Sequence, residues 1–474
     1  MNPIRIGRKK QLFWDDYLVN TSLSSAERIQ HHPAEKEVAL VFDKPWEGDG
    51  CDFLCPVEAD GIYRIYYMAW EMFDKNMTVH TTQDIRVCVI ESKDGLHWER
   101  PNLRICEFDG SFDNNIIYDN RDGALDNFSV FCDGNPACPP NERFKATVKL
   151  KYELWCFTSA DGYHFKKDRL ITDKGRFDTM NVAFWSEALG KYFCFIRDFH
   201  DYASREWPAL NEGVRDIRVL TSPDFRTWTD PVLLDFGGAE DIPLYTSAAF
   251  PYPGAKEVLI GLPSRYVERK TWNDNFAQLT GAEARKKRMN VSPRYGLATT
   301  DCVVMISRDG FTWDRQDEAF MTPGIERDDN WVYGDCYPTP GLILTASDLP
   351  GAPPEYSFYC DERHWSQKPA YLQRYVIRQD GFLSYHAGRA PKTVVTKPLL
   401  YEGGTLSINF ATSALGYVYV TMADKTHTFK SCELFGDSLD RRVRFDGDTS
   451  ELIGKEVVLT FTMSDADIYS MQFT

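Results

Sequence analysis

The sequence predicts an all-β protein, a five-bladed β-propeller followed by a C-terminal β-sandwich. The first observation is a repeat: residues 84–100 read DIRVCVIESKDGLHWER, residues 216–231 and 301–315 are close copies, and residues 152–167 and 375–386 are weaker ones. The second is composition, since 14% aromatic residues and 25 prolines in 474 residues are typical of a β-rich, turn-rich chain. The third is the loss of the repeat after Gly388. Sheet units repeating at this period indicate a propeller.

Each copy of the repeat is a β-branched apolar run, a Ser-x-Asp-Gly turn or a near variant, and then an aromatic residue. The run predicts a half-buried strand, and the small polar residues and glycine supply a tight turn into the next strand. The turn aspartates are spaced by 67, 63, 85 and 71 residues, and they are Asp94, Asp161, Asp224, Asp309 and Asp380. We assign all five a structural role.

Five units of four strands follow in chain order, preceded by residues 1–50 with one predicted strand at 11–19. Asp15 and Asp16 in that strand are more typical of a turn or cap than of catalysis. The predicted strands are 53–59, 63–69, 85–92 and 96–100 in unit one; 128–132, 144–150, 153–159 and 163–170 in unit two; 181–186, 192–197, 217–222 and 227–234 in unit three; 244–250, 257–262, 302–307 and 312–315 in unit four; and 331–337, 342–346, 356–361 and 372–378 in unit five.

Unit four contains an insertion, residues 263–300, which is rich in Lys and Arg and predicted to be helical at 282–289. Residues 396–474 have short alternating strands without the repeat, which is typical of a small β-sandwich. The predicted domains are therefore a propeller over residues 1–388 and a sandwich over residues 389–474.

The overall charge argues against several classes of partner. The 54 basic and 70 acidic residues give a net charge of −16, which disfavours binding to nucleic acid or to an anionic membrane. No apolar signal core and no membrane-length run is found. Twelve scattered cysteines without a CxxC pair favour free thiols and a cytoplasmic location. We expect no cofactor, and no group of residues has a convincing metal-ligand spacing. The sequence leaves open whether a cation lies in the propeller channel and whether the protein is a homo-oligomer.

Acidic residues precede the predicted inner strands, whose starts meet at one rim of a propeller. Glycosidases need one carboxylic acid to protonate the leaving oxygen and one carboxylate to attack the anomeric carbon or activate water. Asp84, Asp216 and Asp301 recur at one position in three copies, so we assign them a structural role. The candidate catalytic carboxylates are Asp52, Asp126, Asp178 and Glu240.

Hydrogen-bonding and aromatic side chains near the same rim are candidates for binding sugar hydroxyls and ring faces. They are Trp70, Glu71, Asn127, Asn181, Arg197, His200, Tyr245, Arg265 and Trp331. The basic insertion is compatible either with a lid or with a solvated loop. As a lid, its Arg265, Arg285 and Arg294 would suit an anionic group on the substrate.

Three stretches, FWDDYL at 13–18, DNFSVFCDGNP at 126–136 and RYVIRQDGF at 374–382, carry a resemblance to known enzymes. The chain resembles the five-bladed propeller glycoside hydrolases, which include the invertase and levanase family and the arabinanase and β-xylosidase family, and is most similar to bacterial invertase-like glycosidases. The invertase signatures WMNDPNG, RDP and EC are absent. The resemblance implies that Asp52 is the nucleophile or base and Asp126 a carboxylate that stabilises the transition state or modulates a pKa. It leaves Asp178, Glu71 and Glu240 as possible proton donors.

The favoured function is a glycoside hydrolase acting on short oligosaccharides or glycosides, such as fructo- or arabinofuranosides. A second reading is a propeller phosphorylase, in which Arg197, His200 and Arg265 would hold phosphate. A third is a propeller that binds sugar without cleaving it.

Overall fold

The computed structural model describes residues 2–72, 85–120, 125–206, 212–364 and 366–474. Five antiparallel sheets of four strands each form the blades, which confirms the predicted five-bladed propeller. Their strands are Asp52–Ala59, Ile62–Ala69, Arg86–Ser92 and Ile116–Asp119 in blade 1; Leu125–Cys132, Phe144–Leu150, Glu153–Ser159 and Lys166–Thr172 in blade 2; Val182–Ser186, Lys191–His200, Val214–Ser222 and Val232–Leu233 in blade 3; Ala249–Pro251, Leu259–Gly261, Met305–Ser307 and Asp314–Arg315 in blade 4; and Ile343–Thr345, Glu355–Glu362, Tyr371–Ile377 and Ala34–Val41 in blade 5.

The outer strand of blade 1 is Ile116–Asp119 and not the predicted strand at 96–100. After the turn, Glu99 makes only an isolated bridge to Glu91. The Trp98 indole bends back and donates a hydrogen bond to the carbonyl of Gly95 at 3.2 Å. The aromatic residue that follows the turn therefore stabilises the turn itself.

Blade 5 differs most from the prediction. Its inner strand is Ile343–Thr345, so the predicted strand at 331–337 was placed too early. Its outer strand is Ala34–Val41, which pairs with Tyr371–Ile377 from Val41 opposite Tyr371 to Ala34 opposite Val376. The ring is thus closed by pairing the N-terminal part of the chain with the last blade, and closure removes exposed strand edges.

This closure explains why the fifth copy of the repeat is degraded. Ile377 ends the third strand of blade 5, and the chain then leaves the propeller, so no turn into an outer strand is needed. Asp380 is buried and accepts hydrogen bonds from Lys10 Nζ at 2.9 Å and Ser470 Oγ at 2.7 Å within the C-terminal unit. Asp380 therefore lies in a turn and has a structural role, as predicted, but this turn belongs to the second compact unit and not to a blade.

The insertion is an ordered subdomain of blade 4. A two-stranded sheet, Ser264–Glu268 with Ala298–Cys302, frames the helices Asp274–Gln278, Ala282–Met289 and Arg294–Leu297. The predicted helix at 282–289 is confirmed. Arg285 is buried and donates to the carbonyls of Gly296 at 3.0 Å and Trp331 at 2.5 Å. The basic side chains therefore serve partly to stabilise the fold of the insertion.

The second unit contains residues 2–32, 253–255 and 377–474, whereas the prediction placed residues 1–388 in the propeller and 389–474 in the sandwich. Two 18-residue strands, Leu406–Ala423 and Glu456–Phe473, pair along most of their length. Phe410, Phe461 and Met463 lie in its core. Its other strands are Gln11–Leu12, Glu27–Gln30, Leu383–Ala387, Lys392–Val395, Leu399–Leu400, Thr428–Lys430 and Asp437–Arg442, and short 3-10 turns lie at Thr449–Leu452 here and at Pro140–Glu142 in the propeller.

None of the helices in the described part of the chain has the length and apolar character needed to span a bilayer. All twelve cysteines are free, as the scattered spacing predicts.

Candidate active site

A cavity of about 130 Å³ lies where elements of all five blades and the insertion meet. Blade 1 contributes the start of its inner strand and the residues after its second strand, and the other blades contribute mainly the segments that precede inner strands. The lining residues are Asp52, Phe53, Trp70, Met72, Asp126, Asp178, Tyr245, Arg294, Tyr295, Tyr333, Gly334, Tyr337 and His364.

Three of the four candidate catalytic carboxylates line this cavity. Asp52 and Asp126 belong to the inner strands of blades 1 and 2, and Asp178 lies just before the inner strand of blade 3. Glu240 does not line it: the residue is exposed, and its backbone carbonyl accepts a hydrogen bond from Arg315 at 2.5 Å. The inner strand of blade 4 begins only at Ala249, so Glu240 belongs to the preceding connection and its prediction as a rim residue is corrected.

Asp52 is the most buried of the three carboxyl groups, with 7% of its side chain exposed. Burial raises the pKa of Asp52 to about 8; the 2.7 Å hydrogen bond from the Phe53 amide opposes this shift, and the charge of Asp126 adds to it. Desolvation disfavours the charged form of a carboxyl group. Asp52 therefore keeps its proton at neutral pH.

Asp126 and Asp178 are instead paired with cations. Lys149 Nζ contacts Oδ2 of Asp126, and Arg197 Nη2 contacts Oδ1 of Asp178. Their side chains are 28% and 37% exposed, respectively. The cavity therefore combines one buried protonated carboxyl group with two ion-paired carboxylates. In enzymes, carboxyl groups in such different environments take different roles, one as the acid and the other as the base.

Asn127 and Asn181 are buried and do not line the cavity, which corrects their prediction as sugar-binding residues. Asn181 Nδ2 donates to the carbonyls of Thr179 at 2.8 Å and Phe177 at 2.9 Å and to Asn127 Oδ1 at 3.0 Å. Asn127 Nδ2 donates to the Phe177 carbonyl. The two amides therefore fix the loop that carries Asp178.

Trp70 and Tyr245 are the predicted sugar-binding residues that do line the cavity. The hydroxyl of Tyr245 donates to the backbone carbonyl of Asp178 at 3.0 Å. Arg197 reaches the site only through Asp178, and its Nε donates to the carbonyl of Arg176 at 3.1 Å. The side chains of Tyr245 and Arg197 therefore help to hold Asp178 in position.

Four other predicted sugar-binding residues lie outside the cavity lining. Glu71 is exposed. His200 contacts Asp216 at 3.0 Å through Nδ1 and Asp241 at 2.8 Å through Nε2. Arg265 donates to Asp301 at 2.9 and 2.6 Å. Trp331 donates to the carbonyl of Gly324 at 2.9 Å and lines a separate pocket of about 190 Å³.

The sequence prediction missed the aromatic residues that blade 5 brings to the cavity. Tyr333 and Tyr337 fall in the stretch predicted as an inner strand, and the early placement of that strand hid their role. The Tyr337 hydroxyl and the Trp70 indole Nε1 are buried and have no hydrogen-bond partner among the described residues. Buried polar groups are normally paired, so these two atoms are exceptions among the residues that line the cavity.

Asp361 and His364 form a buried pair behind Asp52. His364 Nε2 lies 2.7 Å from Asp361 Oδ2 and 3.5 Å from Asp52 Oδ2, although neither nitrogen makes a well-directed hydrogen bond with the described residues. Burial lowers the pKa of His364 to about 4 and raises that of Asp361. We treat the pair as a close polar contact between uncharged groups.

Two sets of described side chains place three ligand atoms within 4.8 Å of one another, as a cation would require: Asp52, Asp361 and His364, and the more exposed His200, Asp201 and Asp241. In the first set a proton on a carboxyl group accounts for the close contacts. In the second, His200 already bridges two carboxylates. We assign a metal to neither.

No protein-family model matches the sequence, and no curated protein matches it significantly. Among solved structures, the chain is similar to a GH32 beta-fructofuranosidase from Bombyx mori (9% identity, 93% of this chain and 94% of the other, TM-score 0.41). It is also similar to a glycosyl hydrolase from Bacteroides ovatus (12% identity, 78% and 96%, TM-score 0.40) and to a fructofuranosidase from Schwanniomyces occidentalis (11% identity, 91% and 97%, TM-score 0.37).

Proposed function

We propose that this protein is a glycoside hydrolase that cleaves small glycosides or short oligosaccharides. The observation that carries the proposal is the meeting of Asp52, Asp126 and Asp178, from three successive blades, at one cavity. The same cavity presents the buried and unpartnered Trp70 Nε1 and Tyr337 hydroxyl. Carboxyl groups in unlike environments supply acid and base, and unpaired donors and acceptors suit sugar hydroxyls.

In this proposal Asp52 is the general acid, because it is the carboxyl group that burial keeps protonated. It would donate its proton to the leaving oxygen as the glycosidic bond breaks. Asp126 or Asp178 would face the anomeric carbon, either attacking it or activating a water molecule, and the other would stabilise the developing positive charge. This assignment differs from the resemblance, which implies that Asp52 is the nucleophile or base.

The aromatic residues of the cavity complete the proposed sugar site. Phe53, Tyr245, Tyr295 and Tyr337 contribute aromatic rings to the wall of the site, and Trp70 would offer a hydrogen-bond donor. A cavity of about 130 Å³ suits a terminal sugar unit better than the interior of a polymer. The resemblance suggests furanosides as one class of substrate, and the free cysteines support a proposed cytoplasmic location.

The phosphorylase reading has less support, because each cation proposed to hold phosphate is already paired with a carboxylate. Arg197 contacts Asp178, His200 contacts Asp216 and Asp241, and Arg265 contacts Asp301. A phosphate ion would have to displace these partners or bind at Arg294 of the cavity wall, whose single positive charge would balance only part of a phosphate dianion. We therefore propose hydrolysis, with water as the acceptor.

The test is a screen of aryl glycosides and natural oligosaccharides with the wild type, the Asp52→Asn variant and the control variant Asp230→Asn. Asp230 is 80% exposed and pairs with Lys174 on the surface. We expect release of sugar by the wild type and by Asp230→Asn, and loss of release from the natural oligosaccharides in Asp52→Asn, independent of added phosphate. Undiminished turnover of natural oligosaccharides by Asp52→Asn would exclude Asp52 as the acid. Sugar binding without any product would favour a non-catalytic propeller.

A further inference from the structure

Arg294 places a permanent positive charge in the wall of the cavity. Its guanidinium lies over the rings of Tyr295 and Tyr333, with Cζ 4.8 and 5.3 Å from the two centroids, and Nη2 donates to the Tyr295 hydroxyl at 3.2 Å. A guanidinium does not lose its proton in proteins. Among the described residues no carboxylate lies within ion-pair distance of it.

The other arginines considered for an anionic ligand are occupied. Arg265 is paired with Asp301, and Arg285 is buried against the carbonyls of Gly296 and Trp331. Arg197, beside the cavity, is paired with Asp178. Of these four arginines, only Arg294 both lines the cavity and lacks a counter-ion.

Arg294 is only partly exposed, and an unbalanced charge with limited access to water is costly unless a ligand balances it. The planar fork of a guanidinium matches the two oxygens of a carboxylate. We propose that the cavity is selective for sugars that carry a carboxylate group, the uronic acids and their glycosides, and that Arg294 binds this carboxylate. The inference rests on the proposed glycosidase function only in taking the ligand to be a sugar.

Charge also sets the orientation of such a ligand. Asp126 and Asp178 lie at the blades 2 and 3 side of the cavity, each paired with a cation, whereas Arg294 comes from the insertion. A sugar carboxylate would therefore be attracted to Arg294 rather than to the ion-paired side. The glycosidic bond would then be directed away from Arg294, towards the carboxyl groups. A single unpaired guanidinium balances a monoanion, which favours a carboxylate over a phosphate dianion.

The test measures binding by calorimetry of glucuronate, galacturonate and mannuronate and of the neutral parents glucose, galactose and mannose. A charge-assisted hydrogen bond predicts that the wild type binds the best uronate about ten- to a hundredfold more tightly than its neutral parent. Arg294→Gln should lose this preference, and Arg294→Lys should keep only part of it, because an ammonium lacks the planar fork. The control Lys286→Gln removes an exposed charge of the same insertion, which pairs with Glu283, and should keep the preference. Melting temperatures show whether each variant is folded.

Each outcome separates this inference from the proposed function. Selective uronate binding that depends on Arg294, with no glycoside cleaved, would support the inference and contradict hydrolysis. Cleavage of neutral glycosides with equal or absent binding of uronates would overturn the inference and leave hydrolysis standing. Tighter binding of sugar phosphates or sulfate esters than of uronates would overturn the carboxylate assignment. A preference retained by a folded Arg294→Gln variant would overturn the role of Arg294.

Discussion

Aspartates occupy two contrasting places in this propeller, the outer turns of the blades and the central cavity. In the turn of blade 1, Asp94 accepts hydrogen bonds from the amides of Leu96 at 2.8 Å and His97 at 2.9 Å; although partial burial opposes it, these bonds lower the pKa of Asp94. In the cavity, burial raises the pKa of Asp52 to about 8. The environment, and not the residue type, separates a structural aspartate from a candidate acid.

The number of hydrogen bonds that each aspartate accepts from the protein also distinguishes the turn aspartates from Asp52. Asp161, Asp224 and Asp309 repeat the turn arrangement, each accepting hydrogen bonds from amides two and three residues further along the chain. Asp52 accepts one hydrogen bond, from the Phe53 amide, among the described residues. The turn aspartates are saturated by their own loops, whereas Asp52 has capacity left for a ligand.

The largest expected effect is that of Asp52→Asn on turnover. Loss of a general acid costs about 10²- to 10⁴-fold in rate, and we expect kcat/KM for substrates with poor leaving groups to fall in that range. The same variant should be more stable than the wild type at neutral pH, because the amide removes a buried ionisable group. Steady-state kinetics and thermal unfolding of the two proteins measure both effects.

The sign of the stability effect depends on pH. Asp52 ionises near pH 3.9 in an unfolded chain, about the value of a model peptide, and at about 8 in the folded protein. The folded state therefore binds the extra proton between these values, so stability falls as pH rises through that window. The melting-temperature advantage of Asp52→Asn should grow from pH 4 to pH 8. An advantage that is constant with pH would show that Asp52 does not titrate in this way.

The next effect is the pH dependence of the wild-type rate. If Asp52 donates the proton, kcat/KM should fall about tenfold for each unit above its pKa. A glycoside with a dinitrophenolate leaving group needs no proton, so its kcat/KM should not fall at high pH. Comparing the pH profiles of this substrate and of an alkyl glycoside separates acid catalysis from general loss of structure. Identical basic limbs for both substrates would contradict the assignment.

A smaller effect is expected from Asp94→Ala. The side chain is 47% exposed, so solvent weakens its hydrogen bonds, and we expect a loss of about 1 kcal/mol in the free energy of unfolding with kcat/KM unchanged. Because the pKa of Asp94 is lowered in the folded state, this stabilisation is present above about pH 4 and is lost as pH falls further. Denaturant unfolding at pH 7 and pH 2.5 measures the difference. A changed rate would place the turn in contact with the site.

The features predicted well from the sequence depend on local chemistry. The Ser-x-Asp-Gly turns specify their own geometry, so blades 2 to 4 appear near their predicted positions. Asp52 and Asp126 fall at strand starts, and Asp178 falls just before one. The closing strand Ala34–Val41 could not be predicted from blade 5, because its partner Tyr371–Ile377 lies far away in sequence and the strand carries no copy of the repeat. The side chains of Asn127 and Asn181 turned out to face backbone carbonyls, since an amide serves a loop as readily as a sugar. Tyr337 reaches the cavity from an irregular segment and Arg294 from a four-residue helix, and periodicity specifies the path of neither.

The smallest expected effect is that of Glu240→Gln, a change at a residue whose position at the cavity was predicted from sequence but not found. An acidic residue before an inner strand was grouped with Asp52 from sequence, yet in the structure Glu240 is exposed and does not line the cavity. We expect Glu240→Gln to change kcat/KM by less than about twofold and stability by less than about 0.5 kcal/mol, as for most surface substitutions. The same assay as for Asp52→Asn measures it. A large loss of rate would mean that the connection before blade 4 carries the proton donor, and that burial does not distinguish the acid among these carboxyl groups.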